Sequence, residues 1–100
     1  MSDPVPRTVP SVGTVTVRYW AAARAAAGTD SDVLELPSDA TLATVLAEVR
    51  ARHRDRPRLA EVLAVCSVLV GDRPVGSRDP AAVSLRDGDM VELLPPFAGG

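Results

Sequence analysis

The stretch that decides the fold is residues 90–100, which read MVELLPPFAGG. In an extended chain Val91 and Leu93 share one face, and Met90, Glu92 and Leu94 share the other. This period of two predicts a strand. The two prolines that follow have no N–H to donate, so they cannot continue a hydrogen-bonded ladder. The pattern therefore predicts a last strand at 90–94 and a flexible tail over residues 95–100.

The tail presents one group that can react, the α-carboxylate of Gly100. Because Gly99 and Gly100 lack a Cβ, the final peptide can enter a channel too narrow for other residues. A carboxylate with a pKa of about 3.5 is ionised at neutral pH and is a poor electrophile. It reacts only after activation, for example as an acyl-adenylate formed with ATP. We therefore expect the protein to be a substrate, with the catalytic groups on other proteins.

A second alternating run lies near the start of the chain, where order is expected from Val12. Residues 14–20 predict a strand with Val15, Val17 and Tyr19 on one face and Trp20 on the other. The alanine-rich stretch 21–27 favours a helix of one or two turns.

The middle of the chain supplies the remaining elements. Residues 32–36 and 65–70 predict strands, the second from its β-branched content, and 71–74 predict a turn. Capping groups at 38–41 precede an apolar stripe with helical spacing, formed by Leu42, Val45, Leu46 and Val49. One main helix on one face of a sheet defines an α+β, two-layer domain over residues 12–94.

Composition excludes several classes of function. The chain has 100 residues, a net charge of −2, one Cys and one His. It is long enough for one domain, lacks the basic stripe of a nucleic-acid binder, and cannot form an intrachain disulfide or a Cys/His metal cluster. Residues 1–11 predict a proline-rich, disordered arm without the features of a signal peptide. No apolar run reaches membrane-spanning length, so we expect a cytoplasmic protein.

Several features of the middle of the chain, among them an arginine cluster that could bind anions, invite a functional interpretation, and simpler ones are favoured. Five of the eleven arginines fall within residues 50–58, which we interpret as a solvated helix end. His53 lies in that stretch and is expected to be exposed. Glu48 and Arg52 have the spacing of an ion pair on the outer side of the helix. Cys66 is expected to be a buried, structural thiol.

Together these motifs resemble the ubiquitin-like sulfur carriers of the MoaD and ThiS type, most closely the small-subunit branch of molybdopterin synthase. The resemblance covers residues 12–100. It depends on DGD at 87–89 leading into the 90–100 stretch, and on VRYWAAAR at 17–24. Pro-Pro before the last four residues is typical of that subunit and less so of the thiamine sulfur carriers. Leu93-Leu94 departs from the family, in which aromatic residues are common there.

The resemblance implies a ubiquitin-like β-grasp fold. Its mixed sheet has parallel first and last strands at the centre, and its C-terminal Gly-Gly tail is exposed. It also implies a partner-binding patch formed by Trp20, Leu94 and Phe97 at the base of the tail, with Arg24 as a possible contact. For Trp20 the alternative is packing beneath the alanine-rich segment 21–27.

The family further implies a reaction sequence on Gly100. An E1-like adenylyltransferase adenylates it with ATP, and a sulfur donor protein converts the adenylate to a thiocarboxylate. The tail, with Gly99 and Gly100, then enters the large subunit of molybdopterin synthase. There sulfur passes to cyclic pyranopterin monophosphate in molybdenum cofactor biosynthesis. The carrier itself needs no bound cofactor or metal, and no nucleic-acid or membrane partner.

Three alternatives stay open from the sequence. The chain could be a sulfur carrier for cysteine or thiamine biosynthesis. It could be a ubiquitin-like modifier whose Gly100 forms isopeptide bonds; the absence of lysine excludes only side-chain-linked chains of itself. It could also be a binding module whose tail has no covalent role.

Overall fold

The computed structural model describes residues 12–96. The predicted arm at 1–11 and the tail residues 97–100 lie outside the described residues. The strands are β1 (Val12–Tyr19), β2 (Ser31–Pro37), β3 (Ser67–Val70), β4 (Arg73–Pro74) and β5 (Met90–Leu94). The helices are α1 (Ala21–Ala27), α2 (Leu42–Arg52) and α3 (Pro57–Leu63), with a 3₁₀ turn at Pro80–Ala82.

The five strands form one mixed sheet in the order β2-β1-β5-β3-β4. β1 and β5 lie side by side at the centre and run parallel, whereas β2, β3 and β4 pair antiparallel with their neighbours. This arrangement confirms the α+β class and the β-grasp topology that the resemblance implied. Because the two central strands are parallel, their carboxyl ends meet at the same edge of the sheet.

The alternation predicted for the central strands is confirmed. Val17 of β1 and Val91 and Leu93 of β5 are completely buried, and Val15 and Tyr19 are nearly so. Their neighbours in sequence face the other side and are at least partly exposed. One face of each central strand therefore forms the core, and the opposite face stays open.

Helix α2 covers the inner face of the sheet, as its apolar stripe predicted. Leu42, Val45 and Val49 are fully buried in the core cluster. The helix begins after Thr41, whose hydroxyl accepts a hydrogen bond from the Thr44 amide at 3.4 Å. The Thr44 hydroxyl accepts one in return from the Thr41 amide at 3.2 Å. This reciprocal cap satisfies two backbone donors that a helix start otherwise leaves open.

Helix α1 is short, as expected, and packs through small side chains. Ala23, Ala26 and Ala27 are buried in it. Gly28 follows with φ 76°, and its amide donates to the Arg24 carbonyl at 2.9 Å, which ends the helix in the left-handed cap conformation. The guanidinium of Arg56 lies against Gly28, so close that a Cβ there would stand 2.7 Å from it.

The strand predicted at 65–70 begins two residues later than expected. The amides of Val65 and Cys66 donate to the carbonyls of Val62 and Leu63, so hydrogen bonding of the helical type continues past α3. Extended pairing therefore starts only at Ser67. Among residues 12–96, no helix combines the length and apolar character needed to cross a bilayer.

Candidate functional site

The side of the sheet away from α2 is not covered by any element that the structure describes. We call it the open face, and its residues include Thr16, Arg18, Trp20, Val33, Leu69, Met90, Glu92 and Leu94. Strand register assigns them. Thr16 has two partners, Met90 on β5 and Val33 on β2. Glu92 likewise has two partners, Arg18 on β1 and Leu69 on β3. All eight are at least partly exposed. Apolar side chains accessible on one sheet face are typical of a protein-binding surface.

Trp20 and Leu94 lie together at the edge where the tail begins. In the parallel pairing, Tyr19 at the end of β1 is the partner of Leu93, so Trp20 and Leu94 are the next residues along the two chains. The Trp20 amide donates to the Leu93 carbonyl at 3.2 Å, which holds the two strand ends together. The chain continues from Leu94 into Pro95 and Pro96, so these two prolines leave the sheet beside Trp20.

The Trp20 side chain is 40% exposed. This excludes the alternative that it packs beneath the segment 21–27. Its Nε1–H donates to Glu92 Oε1 at 2.9 Å, and Arg18 Cζ lies 4.8 Å from the ring centroid. Ala21, the next residue, has φ 49°, an uncommon conformation for a side chain with a Cβ. The backbone thus turns away at once, and the indole remains on the open face.

The other predicted contact residues are placed only in part. Arg24 lies on α1 with Nε 3.3 Å from Asp30 Oδ1, and both side chains are mostly exposed. Such an exposed pair is weak and leaves the guanidinium available to a partner. Phe97, Gly99 and Gly100 lie outside the described residues, so the structure brings together only Trp20 and Leu94 of the predicted set.

A polar cluster lies on the inner face, directly behind Trp20. His53 Nε2 is 2.6 Å from Asp32 Oδ2, and the Tyr19 hydroxyl donates to the same oxygen at 2.7 Å. The His53 and Tyr19 rings meet edge to face, with centroids 5.9 Å apart. We call these three residues the inner clasp. It joins β1, β2 and the C-terminal end of α2.

Two predictions about this region are wrong. His53 was expected to be exposed, but only 12% of its side chain is accessible because the end of α2 lies over Asp32 of β2. Arg52 was expected to pair with Glu48. Instead its Nη1 lies 3.7 Å from Asp32 Oδ1 and donates to the Val33 carbonyl at 3.3 Å. Contacts with the sheet therefore replace the contacts expected along the helix.

The contacts of the inner clasp shift the pKa values of Tyr19 and Asp32. Burial, the hydrogen bond to Asp32 and the charge of that carboxylate together raise the pKa of Tyr19 far above its usual value. Burial also acts to raise the pKa of Asp32, but hydrogen bonds with His53 and Tyr19 outweigh it and bring that pKa below its usual value. Asp32 is therefore the ionised acceptor of the cluster at neutral pH.

Cys66 has the properties expected of a structural thiol, although it is half-buried rather than fully buried. Burial raises its pKa, which disfavours the reactive thiolate. The described residues also contain no group of three or more His, Cys, Asp or Glu side chains arranged for a metal ion.

Sequence reasoning missed the partners of both aromatic side chains at the end of β1. Alternation places Arg18, Trp20 and Glu92 on one face, so their proximity could have been inferred once β1 and β5 were taken as neighbours. No comparable signal identifies the His53–Asp32 contact. That contact depends on where the end of α2 crosses the sheet.

A mixed sheet with parallel central strands, one main covering helix and an open face beside the end of the last strand defines the class of ubiquitin-like β-grasp proteins. Comparison with known proteins makes the assignment specific. The model of the ThiS family matches residues 17–100. The chain belongs to the ThiS family, whose members include sulfur carriers of the MoaD and ThiS type.

Two curated relatives match over most of their length. The chain is 34% identical over 86 residues to the molybdopterin synthase sulfur carrier subunit of Chlamydomonas reinhardtii, covering 86% of this chain and 98% of that protein. It is 35% identical over 88 residues to small archaeal modifier protein 3 of Haloferax volcanii, covering 84% and 96%. The family therefore combines sulfur carriers with ubiquitin-like modifiers.

Solved structures give the same family assignment. A putative molybdopterin converting factor, subunit 1, from Pyrococcus furiosus superposes with a TM-score of 0.69 at 27% identity, over 85% of this chain and 99% of that one. The complex of subunits 1 and 2 of the molybdopterin-converting factor from Helicobacter pylori matches with a TM-score of 0.56 at 29% identity, over 87% and 99%. A relative of this chain thus forms a complex with a second subunit.

Proposed function

We propose that this protein is the sulfur-carrier subunit of a cytoplasmic molybdopterin synthase. In this proposal the Gly100 carboxylate is adenylated, converted to a thiocarboxylate and used to donate sulfur to cyclic pyranopterin monophosphate. The matches to the Chlamydomonas carrier subunit and to the Helicobacter two-subunit complex support this choice within the family. The Pro-Pro pair before the final four residues supports it as well.

One observation carries the proposal: Trp20 and Leu94 share the open face at the point where the tail leaves the sheet. A partner that binds this surface is positioned to receive the residues that follow Pro96. The folded domain then serves to deliver the end of the chain, and two kinds of partner bind the same surface. The first is an E1-like adenylyltransferase, and the second is the large subunit of the synthase.

The chemistry follows from the carboxylate. An oxygen of the Gly100 carboxylate attacks the α-phosphorus of ATP, and pyrophosphate leaves. Sulfur delivered at the oxidation level of sulfide by a donor protein then attacks the acyl carbon, AMP leaves, and a thiocarboxylate and a proton remain. A thiocarboxylate is ionised and nucleophilic at neutral pH, so it can attack the pterin substrate directly. This chain contributes no catalytic side chain to these steps.

The test is reconstitution followed by intact-mass measurement. The protein is incubated with ATP, the E1-like enzyme of its own genome and a sulfide source. The expected mass change is the replacement of one oxygen by sulfur. Deletion of Gly100 should abolish this change and leave the unfolding midpoint within error of the wild type. Loaded protein should then form molybdopterin with the large subunit and cyclic pyranopterin monophosphate. An unchanged mass would refute the carrier role.

Protein modification is the second candidate, and one observation favours it. The 35% identity to an archaeal modifier protein is as high as the identity to the carrier subunit. The same activated end would then form an isopeptide bond with a lysine of another protein. Blotting for this chain in extracts of its host distinguishes the two roles. Discrete conjugates of higher mass that disappear on deletion of Gly100 would support modification.

A further inference from the structure

Three side chains on the open face, near the carboxyl ends of β1 and β5, form a small network. The indole Nε1–H of Trp20 donates to Glu92 Oε1 at 2.9 Å. On its face the ring meets the guanidinium of Arg18, with Cζ 4.8 Å from the centroid. Trp20 is thus held by a hydrogen bond and a cation–π contact although 40% of it is exposed.

The sheet itself brings the three residues together. Arg18 and Glu92 are direct partners in the parallel pairing of β1 and β5. Trp20 lies two residues beyond Arg18 and therefore on the same face. Within the described residues there is no ion pair between Arg18 and Glu92, although their charges are opposite. Each of them instead contacts the indole through its side chain.

The network lowers the free-energy cost of fixing and burying Trp20 at an interface. An exposed side chain that becomes fixed at an interface loses rotamer freedom, and this loss weakens binding. Here two contacts restrict the indole before any partner arrives. The indole N–H also has its acceptor within the fold, so burial beneath a partner does not leave that donor unpaired.

Resting on the proposed function, in which the open face docks the large synthase subunit, we propose that Arg18 and Glu92 are positioning residues that hold Trp20 ready for docking. The pocket of the large subunit that receives the Trp20 ring is then apolar and provides no acceptor for Nε1–H. Its rim carries a carboxylate opposite Arg18, whose N–H groups have no hydrogen-bond acceptor among the described residues.

The first test uses the protein alone. Trp20 is the single tryptophan of the chain, so its indole gives one cross-peak in a proton–nitrogen correlation spectrum. Glu92→Ala should shift this peak and speed exchange of the indole proton with water by roughly fivefold. Glu92→Gln should restore slow exchange because its side-chain oxygen still accepts. Glu35→Ala is the matched control, an exposed acid on the edge strand β2, which β1 separates from β5. Wild-type exchange in Glu92→Ala would overturn the inference.

The second test measures affinity for the large synthase subunit encoded in the same genome, by calorimetry. Trp20→Ala should weaken binding at least about thirtyfold, as expected for an interface anchor. Arg18→Ala and Glu92→Ala should each weaken it roughly three- to tenfold, and Glu92→Gln and Glu35→Ala should bind like the wild type.

The two hypotheses fail in different ways. If Trp20→Ala is impaired while Arg18→Ala and Glu92→Ala bind normally, the positioning role is wrong and the docking face stands. If Trp20→Ala also binds normally, the docking face is wrong. The carrier role is judged separately by the mass change at Gly100, which requires no docking to the large subunit.

Discussion

Two adjacent aromatic residues at the end of β1 make the same kind of hydrogen bond on opposite sides of the sheet. The Tyr19 hydroxyl donates to Asp32 on the inner face, and the Trp20 indole donates to Glu92 on the open face. Tyr19 is 2% exposed, and Trp20 is 40% exposed. Strand alternation alone determines this division, because neighbouring side chains point to opposite faces.

Because the two side chains differ in burial, the loss of the hydrogen bond has a different free-energy cost at each of them. A buried donor that loses its acceptor cannot form a hydrogen bond with water instead, and this unsatisfied donor costs about 1–3 kcal/mol. An exposed donor in the same situation is solvated at small cost. The inner clasp is therefore expected to stabilise the fold, whereas the network around Trp20 is free to set the orientation of a recognition residue.

From this comparison, Asp32→Ala is predicted to have the largest effect on stability. The substitution leaves the Tyr19 hydroxyl and His53 without their shared acceptor inside the fold, so the free energy of unfolding should fall by about 2–3 kcal/mol. Asp30→Ala is the matched control, since Asp30 is a mostly exposed carboxylate paired with Arg24. It should change stability by less than about 0.5 kcal/mol. Urea denaturation measures both, and equal losses in the two variants would contradict the clasp.

The second prediction concerns acid. The pKa of Asp32 is lowered in the fold from the usual 3.8, so its carboxylate stabilises the native state above that pH. This contribution should decline as the pH falls below about 4 through the lowered pKa of the folded state. Asp32→Asn has no such group to protonate. The stability difference between wild type and Asp32→Asn should therefore shrink between about pH 5 and about pH 2, and a constant difference in urea midpoints would refute the assignment.

A smaller effect distinguishes the two aromatic residues directly. Tyr19→Phe removes only the hydroxyl from a buried ring and should cost about 1 kcal/mol. Trp20→Phe removes the N–H from an exposed ring and should stay within about 0.5 kcal/mol of the wild type. Denaturation under identical conditions gives both values. A larger loss for Trp20→Phe than for Tyr19→Phe would reverse the proposed roles of the two faces.

The sheet and main helix were predictable because periodicity is a local property. Strand β5 falls at Met90–Leu94, as alternation predicted, and α2 buries Leu42, Val45 and Val49 of its stripe. The parallel pairing of the central strands came from the family resemblance rather than from periodicity, which reveals which face a residue occupies but not which strand lies beside it.

The candidate site was predictable only in part. Trp20 and Leu94 could be placed on a shared face from alternation and the resemblance. The environment of His53 could not, because an arginine-rich helix end carries the same sequence pattern whether it meets solvent or a buried acid. Only the crossing of α2 over β2 brings His53 to Asp32.

The smallest predicted effect lies at the rim of the clasp, where Arg52 is 42% exposed. Its Nη1 lies 3.7 Å from Asp32 and donates to the carbonyl of Val33, on the edge strand β2. An exposed ion pair contributes little, so Arg52→Ala should lower stability by about 0.5 kcal/mol, and less in high salt.

Arg50→Ala isolates that contact. Both arginines lie in the last turn of α2 and share its favourable interaction with the helix dipole, but of the two only Arg52 donates a hydrogen bond to β2. The difference between the two variants in urea denaturation therefore reports the link between the helix and the edge strand. Equal losses would mean that Arg52 acts only through the helix dipole and adds nothing to the inner clasp of Tyr19, Asp32 and His53.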